Sequence, residues 1–233
     1  MFIIGHRGGV KERAQENTVE AFKLASETPA GAIECDLHLT KDNVICIYHD
    51  YFIDTKTGKQ NIKDLSFKEL VYYKPDISTF EAIKELLDKK TFIFELKYES
   101  NYKEIINNLF ELHYDIIKKH RFISFSSDAL SYIKKRDSKI YCSYIGTSSG
   151  DAGRFHPIIT KKHIITCVEN GFDELSGHWL TFSPRKIIQS HHQGINVGIG
   201  PVNNKAVFNY CNHNKVDVIY TDYVSRVLNY QSA

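Results

Sequence analysis

Residues 31–50, GAIECDLHLTKDNVICIYHD, are the stretch from which the rest of the chain is read. Glu34, Asp36 and His38 are spaced two apart, so an extended strand turns all three side chains to one face. Lys41-Asp42-Asn43 is turn chemistry, and Val44–Tyr48 is rich enough in β-branched and aromatic residues to be a second strand. A connection this short permits only antiparallel pairing. With Asp42-Asn43 as a two-residue loop, Lys41 pairs with Val44 and His49 falls opposite Asp36. The plainer explanation is a strand whose polar residues are its solvated side, with Cys35, Leu37 and Leu39 on the buried one.

Outward from this stretch, the bounds are simple. A chain of 233 residues suffices for one large core, and a single domain over 1–233 is expected. Thirty basic residues against 28 acidic ones give no net-charge attraction to nucleic acid or to a membrane surface. The five cysteines (35, 46, 142, 167 and 211) are odd in number and lack CxxC spacing, so they read as reduced, buried thiols. No apolar run approaches the roughly 20 residues of a membrane span. Phe2-Ile3-Ile4 already reads as strand, which leaves no room for a signal peptide. A cytoplasmic location without stable membrane insertion is therefore expected.

The pattern along the chain alternates. Strands are predicted at 2–5, 31–37, 91–96, 121–125, 139–145, 174–180, 195–199 and 217–221, with 44–49 as a hairpin partner of the second. Helices are predicted at 18–27, 66–73, 79–89, 101–118, 127–136, 161–170, 184–193 and 203–214. Asn17 with Glu20, Ser66 with Glu69 and Ser78 with Glu81 read as capping boxes, and Ser183-Pro184 as a cap followed by Pro at the first helical position. Several strands are apolar throughout, as parallel strands covered on both faces must be. Eight β/α repeats at this length give an α/β fold, a TIM (β/α)8 barrel with a β-hairpin extension after the second strand.

Active sites of such barrels gather at the C-terminal ends of the strands. There the sequence puts His6 and Arg7, Glu34 and Asp36, Glu95 and Lys97, Ser124 and Ser126, His178, Asn196 in the seventh strand, and Thr221-Asp222. Glu34, Asp36 and Glu95 are hard oxygen ligands suited to Mg²⁺ or Ca²⁺. Arg7 and Lys97 offer donors to an anion, and histidines supply an acid and a base near neutral pH. A divalent cation, an anion grip and an acid/base pair together make phosphodiester cleavage chemistry.

HRGGVKERAQENTVEAF, the 31–50 stretch, FELK and VIYTDY, in this order from residue 3 to 223, resemble the glycerophosphodiester phosphodiesterase family. The resemblance implies one metal ion, Mg²⁺ or Ca²⁺, on Glu34, Asp36 and Glu95. It further implies His6 and His49 as acid/base, and Arg7 and Lys97 on the phosphate. The implied reaction hydrolyses a small-molecule glycerophosphodiester to glycerol 3-phosphate and an alcohol. Two rivals remain: a related barrel of phospholipase D type acting on lysophospholipids or sphingolipids, and an inactive barrel that binds a phosphorylated ligand. The chain departs from the family pattern where Gly198-Ile199-Gly200 replaces an aromatic pair, from which a more open mouth is expected. His113, His120, His163 and His213 read as surface helix residues and His191-His192 as solvated. His178-Trp179 is a possible substrate contact, and 146–157 a small polar loop in which Arg154 is a candidate phosphate contact.

Overall fold

The computed structural model describes residues 1–56, 58–97, 101–146 and 158–231. Eight strands form its centre: β1 (Phe2–Gly5), β2 (Ala32–Leu39), β3 (Thr91–Leu96), β4 (Arg121–Ser124), β5 (Tyr141–Ile145), β6 (Glu174–Gly177), β7 (Asn196–Ile199) and β8 (Val218–Thr221). Each pairs in parallel with the next, and β8 returns to β1 through Phe2↔Val218 to Gly5↔Thr221. The closed ring with helices between its strands is a TIM barrel.

Both strand faces are buried, and they carry different chemistry. Ile33, Cys35 and Leu37 point outward into a core shared with Phe22, Leu109 and other helix residues. Ile4, Ala32, Ile93, Ile123, Val218 and Tyr220 form a separate cluster, as the inward side of a barrel should. Each fully buried Phe such as Phe22 or Phe92 contributes roughly 1.5–3 kcal/mol. Glu34 and Asp36 share the face of Ala32 and are 2% and 0% exposed, so the solvated-side explanation fails. The five cysteines are free and buried.

The hairpin after β2 exists, but one residue out of the expected register. Ile45–Ile47 pairs as Leu37↔Ile47, His38↔Cys46 and Leu39↔Ile45, which sets Tyr48 rather than His49 opposite Asp36. The cause is a three-residue loop: Asn43 N–H closes a turn on Thr40 O, and Asn43 itself adopts φ 63°. Asn tolerates that left-handed conformation, which adds the extra residue. Ser78–Thr79 adds to the far side of this strand, and Phe52–Thr55 with Gly58–Asn61 form a second small hairpin.

Helix starts were partly misread. The Ser66/Glu69 box is present. Thr18, not Asn17, caps the helix Val19–Ser26, and Thr79, not Ser78, caps Phe80–Leu87. The predicted helix 101–118 is broken at His113 into Tyr102–Leu112 and Tyr114–Ile117, and a helix at Val224–Gln231 was not anticipated. His113, His120 and His163 are buried rather than surface residues. His120 Nδ1 accepts the Phe92 N–H at 3.1 Å, and His163 Nδ1 accepts that of Thr160 at 3.0 Å. His191 is half-buried and pairs with Asp217 at 2.7 Å. Residues 147–157, including Arg154, lie outside the described residues. No helix among the described residues is long and apolar enough to cross a membrane.

Candidate active site

The first strand ends in a sharp turn. His6–Gly8 is a single 3-10 turn with Arg7 at φ 52°, followed by Gly9 at φ 72°. A side chain on Gly9 would stand 2.5 Å from Gly5 Cα, so the two glycines let the turn close on itself. This brings the Arg7 N–H onto Glu34 Oε2 at 2.9 Å and His6 Nε2 to 4.0 Å from the same oxygen.

On β2 and β3, Asp36 and Glu95 are register partners and Glu34 lies two residues earlier on the same face. One oxygen from each of the three carboxylates falls within 4.8 Å of the others. Against these three anions stand two side-chain cations. Lys97, 4% exposed, pairs with Glu95 at 2.7 Å and closely with Asp36; Arg7 Nε lies 3.4 Å from Asp36. Arg7 is also shared with Glu16 at 2.7 Å, so among the described residues carboxylates outnumber cations here, and the shortfall falls on Glu34. Burial and the Asp36 charge push its carboxyl up to about 8, and its Oε1 is buried without a hydrogen-bond partner among the described residues. Burial acts on Asp36 in the same direction, but Lys97 and Arg7 outweigh it and hold that carboxyl well below the usual range. Burial lowers the Lys97 ammonium, yet Asp36 and Glu95 more than compensate and raise it.

Two imidazoles flank the cluster. His6 Nδ1 bonds Asp222 Oδ1 at 2.6 Å, and Asn203 holds the other Asp222 oxygen at 2.7 Å. Burial disfavours the charged form of His6, but the Asp222 bond and the Glu34 charge prevail and its pKa is raised. Asp222, despite burial, is held down to about 2 by His6. His49 Nδ1 bonds the exposed Asp50 at 2.7 Å; burial and Lys97 depress its pKa. Both rings thus have Nδ1 occupied, with Nε2 left available.

A cavity of about 340 Å³ opens above the carboxylates. His6, Arg7, Glu34, His49 and Glu95 form its charged side, and Ile123, Phe125, Ile145, Pro201 and Tyr220 an apolar wall. His178 also lines it. A groove of about 760 Å³ outside the barrel mouth meets this cavity at His49.

All seven residues singled out in the sequence therefore converge. His38 does not join the cavity lining; it is buried, rests edge-on against Tyr51 at 5.7 Å, and is depressed to about 3 by burial and Lys97. Asn196 lies at the opposite end of its strand and donates to Tyr141 Oη. Asp222, expected at the mouth after β8, is the partner of His6, whereas Asn203 and Asn17 carry no such expectation from the sequence. Gly198 does not open the mouth: a side chain there would come within 2.3 Å of Glu174 and Ser176.

Against this geometry, the family model described as the glycerophosphoryl diester phosphodiesterase family matches residues 6–226. The chain belongs to this family. A glycerophosphodiester phosphodiesterase of Caldanaerobacter subterraneus is 33% identical over 110 residues, 42% of this chain and 45% of the relative. A human lysophospholipase D is 41% identical over 78 residues, 32% of this chain and 24% of the relative. The matches thus span less than half the length of these curated relatives. Among solved structures, an Oleispira antarctica phosphodiesterase in complex with the product sn-glycerol-3-phosphate superposes with TM-score 0.83 at 20% identity, covering 100% of this chain and 97% of that one. The glycerophosphodiester phosphodiesterase of Thermotoga maritima gives 0.78 at 21% identity, covering 98% and 97%. Both share the barrel fold.

Proposed function

We propose that this family member hydrolyses glycerophosphodiesters to glycerol 3-phosphate and an alcohol, with one divalent cation on Glu34, Asp36 and Glu95. The observation that carries the reading is the buried Glu34 Oε1, without a hydrogen-bond partner among the described residues, inside a cluster where carboxylates outnumber cations. Such an atom is costly unless a cation takes it. The all-oxygen donor set suits Mg²⁺ or Ca²⁺ rather than zinc. When bound, the cation would neutralise charge on the phosphoryl oxygens.

The chain's own residues would do the rest. Arg7, whose fork can grip two phosphate oxygens, and Lys97 supply positive charge beside the phosphate. His6 and His49 share the acid and base roles, each presenting Nε2 because an aspartate holds Nδ1. Asp222, held by Asn203, fixes the tautomer and orientation of His6.

The test is a hydrolysis screen of glycerophosphocholine, glycerophosphoethanolamine and glycerophosphoglycerol with Mg²⁺, Ca²⁺ or Mn²⁺, with glycerol 3-phosphate measured directly. Turnover that vanishes in chelator supports the reading; turnover that persists there removes the metal from it. The apolar wall of the cavity favours a second substrate, a lysophospholipid, which the same screen includes. Release of lysophosphatidate without turnover of any deacylated diester would select that substrate instead.

A further inference from the structure

We infer that Asn17 is a positioning residue for the cation-binding cluster, holding the Asp36 carboxylate in fixed relation to Glu34. The inference rests on the proposed metal site and adds a residue to it.

Asn17 is 4% exposed and has φ 58°, a left-handed conformation that costs energy in a residue with a Cβ. It does not cap the helix that follows, since Thr18 does so by accepting the Ala21 N–H at 3.2 Å. Its carboxamide brackets Asp36 instead. Nδ2 donates to Asp36 Oδ2 at 2.6 Å, and Oδ1 accepts the Asp36 N–H at 3.4 Å.

The reason lies at the edge of β2. β1 runs alongside it only as far as Ile33, and the 45–47 strand joins only at Leu37. Between them, the Asp36 carbonyl accepts the Tyr48 N–H at 3.1 Å and the Asp36 N–H is left for the Asn17 side chain. The Asn17 N–H in turn donates to the Arg7 carbonyl at 3.0 Å, and the Arg7 N–H donates to Glu34 Oε2 at 2.9 Å. A closed ring runs from Glu34 through the Arg7 peptide groups and Asn17 to Asp36, and back along β2. Both carboxylates are thereby tied to one loop, and both residues of that loop that carry the ties, Arg7 and Asn17, are in left-handed conformations. Only a carboxamide has a donor and an acceptor spaced to meet both Asp36 groups. An aspartate would lack the donor, and a serine is too short to span them.

Calorimetric titration of the full chain with MgCl2 and with CaCl2 tests this. Asn17→Gly accepts the backbone conformation and removes only the carboxamide. It is expected to weaken cation affinity by roughly 10- to 100-fold, as loss of a group that orients a ligand does. Its melting temperature in chelator should fall by the modest amount that two lost hydrogen bonds cost, no more than that of Thr18→Ala, so cation affinity is the readout that separates the two. Thr18→Ala is the control: it removes the helix cap, lowers the melting temperature and leaves cation affinity unchanged. Should Asn17→Gly not fold, Asn17→Ser is titrated against the same threshold. A folded variant that loses less than roughly tenfold in affinity overturns the positioning role while leaving the metal site standing. An unaltered chain that binds neither cation overturns both.

Discussion

Glu34 and Glu174 are buried glutamates on strands of one barrel, 2% and 1% exposed, yet the protein surrounds them in opposite ways. Glu174 Oε1 accepts hydroxyls from Ser143 at 2.9 Å, Tyr220 at 2.9 Å and Ser176, and its Oε2 accepts that of Tyr141 at 3.0 Å. Gly198 leaves the room for this network. Among the described residues, Glu34 has one backbone N–H on Oε2, no hydrogen-bond donor on Oε1, and two further carboxylates for neighbours. A buried carboxylate with donors on both oxygens is part of the scaffold. One left short of partners and crowded by like charge stores a penalty that a cation removes. The difference lies in the completeness of the shell, since burial is the same.

If the contrast is real, Glu34→Ala should reduce diester hydrolysis below detection, remove the calorimetric signal of Mg²⁺ or Ca²⁺ binding, and leave chelator-treated protein at least as stable as before. Full-strength cation binding by this variant would break the comparison at its first term. Next in size come the flanking histidines. His6→Ala and His49→Ala should each slow an unactivated diester by something like 10²–10⁴-fold. One of the two should recover substantially on a p-nitrophenyl diester, whose leaving group hardly needs an acid. Near-normal rates for both on the unactivated diester would move the acid/base pair elsewhere.

Glu174→Ala should do the reverse of Glu34→Ala. Four hydroxyls lose their acceptor, so chemical denaturation should show a loss on the order of 3 kcal/mol, with cation affinity unchanged. A smaller stability loss than that of Glu34→Ala would invert the comparison. His120 sharpens it, because it too has a buried atom without a partner, Nε2, but no charged cluster around it. Burial depresses its pKa to about 4 from 6.5. Its stabilising contribution is complete above the unfolded value and is lost as pH falls toward about 4. Denaturation midpoints should therefore drop between pH 7 and 5, by on the order of 2 kcal/mol. His120→Asn, which keeps an acceptor for Phe92 N–H, should remove the His120 share of that slope and leave the share of His38, which burial also depresses. An unchanged slope would show that the His120 imidazole is not what charges there.

The barrel was legible because its signal is local and repeated. Alternating apolar strands and capped helices return eight times, and residues at strand ends converge whenever parallel strands close into a ring. That convergence gathered His6, Arg7, Glu34, Asp36, Glu95 and Lys97 without knowledge of any contact, whereas His49 came from the hairpin and from the family resemblance. Where the expectation failed, a single residue's conformation had decided a longer-range outcome. One left-handed Asn43 shifted the hairpin and took His49 out of line with Asp36. A left-handed Asn17 passed the helix cap to Thr18 and turned its own amide to Asp36.

Periodicity alone marks a residue as polar; it does not say which partners will surround it. His113, His120 and His163 look alike in the sequence and become buried only through elements packed against them from elsewhere in the chain, Phe80 on a helix for His113 and Phe92 and Phe94 on β3 for His120. Glu174 and Glu34 are both glutamates on barrel strands, and nothing in either local stretch distinguishes the filled shell from the deficient one. The sequence by itself determined the order of elements, the closure of the barrel and the set of side chains at its mouth, because these follow from period and position. Only the tertiary structure decided which charges are satisfied, because satisfaction is a count of neighbours brought from distant strands.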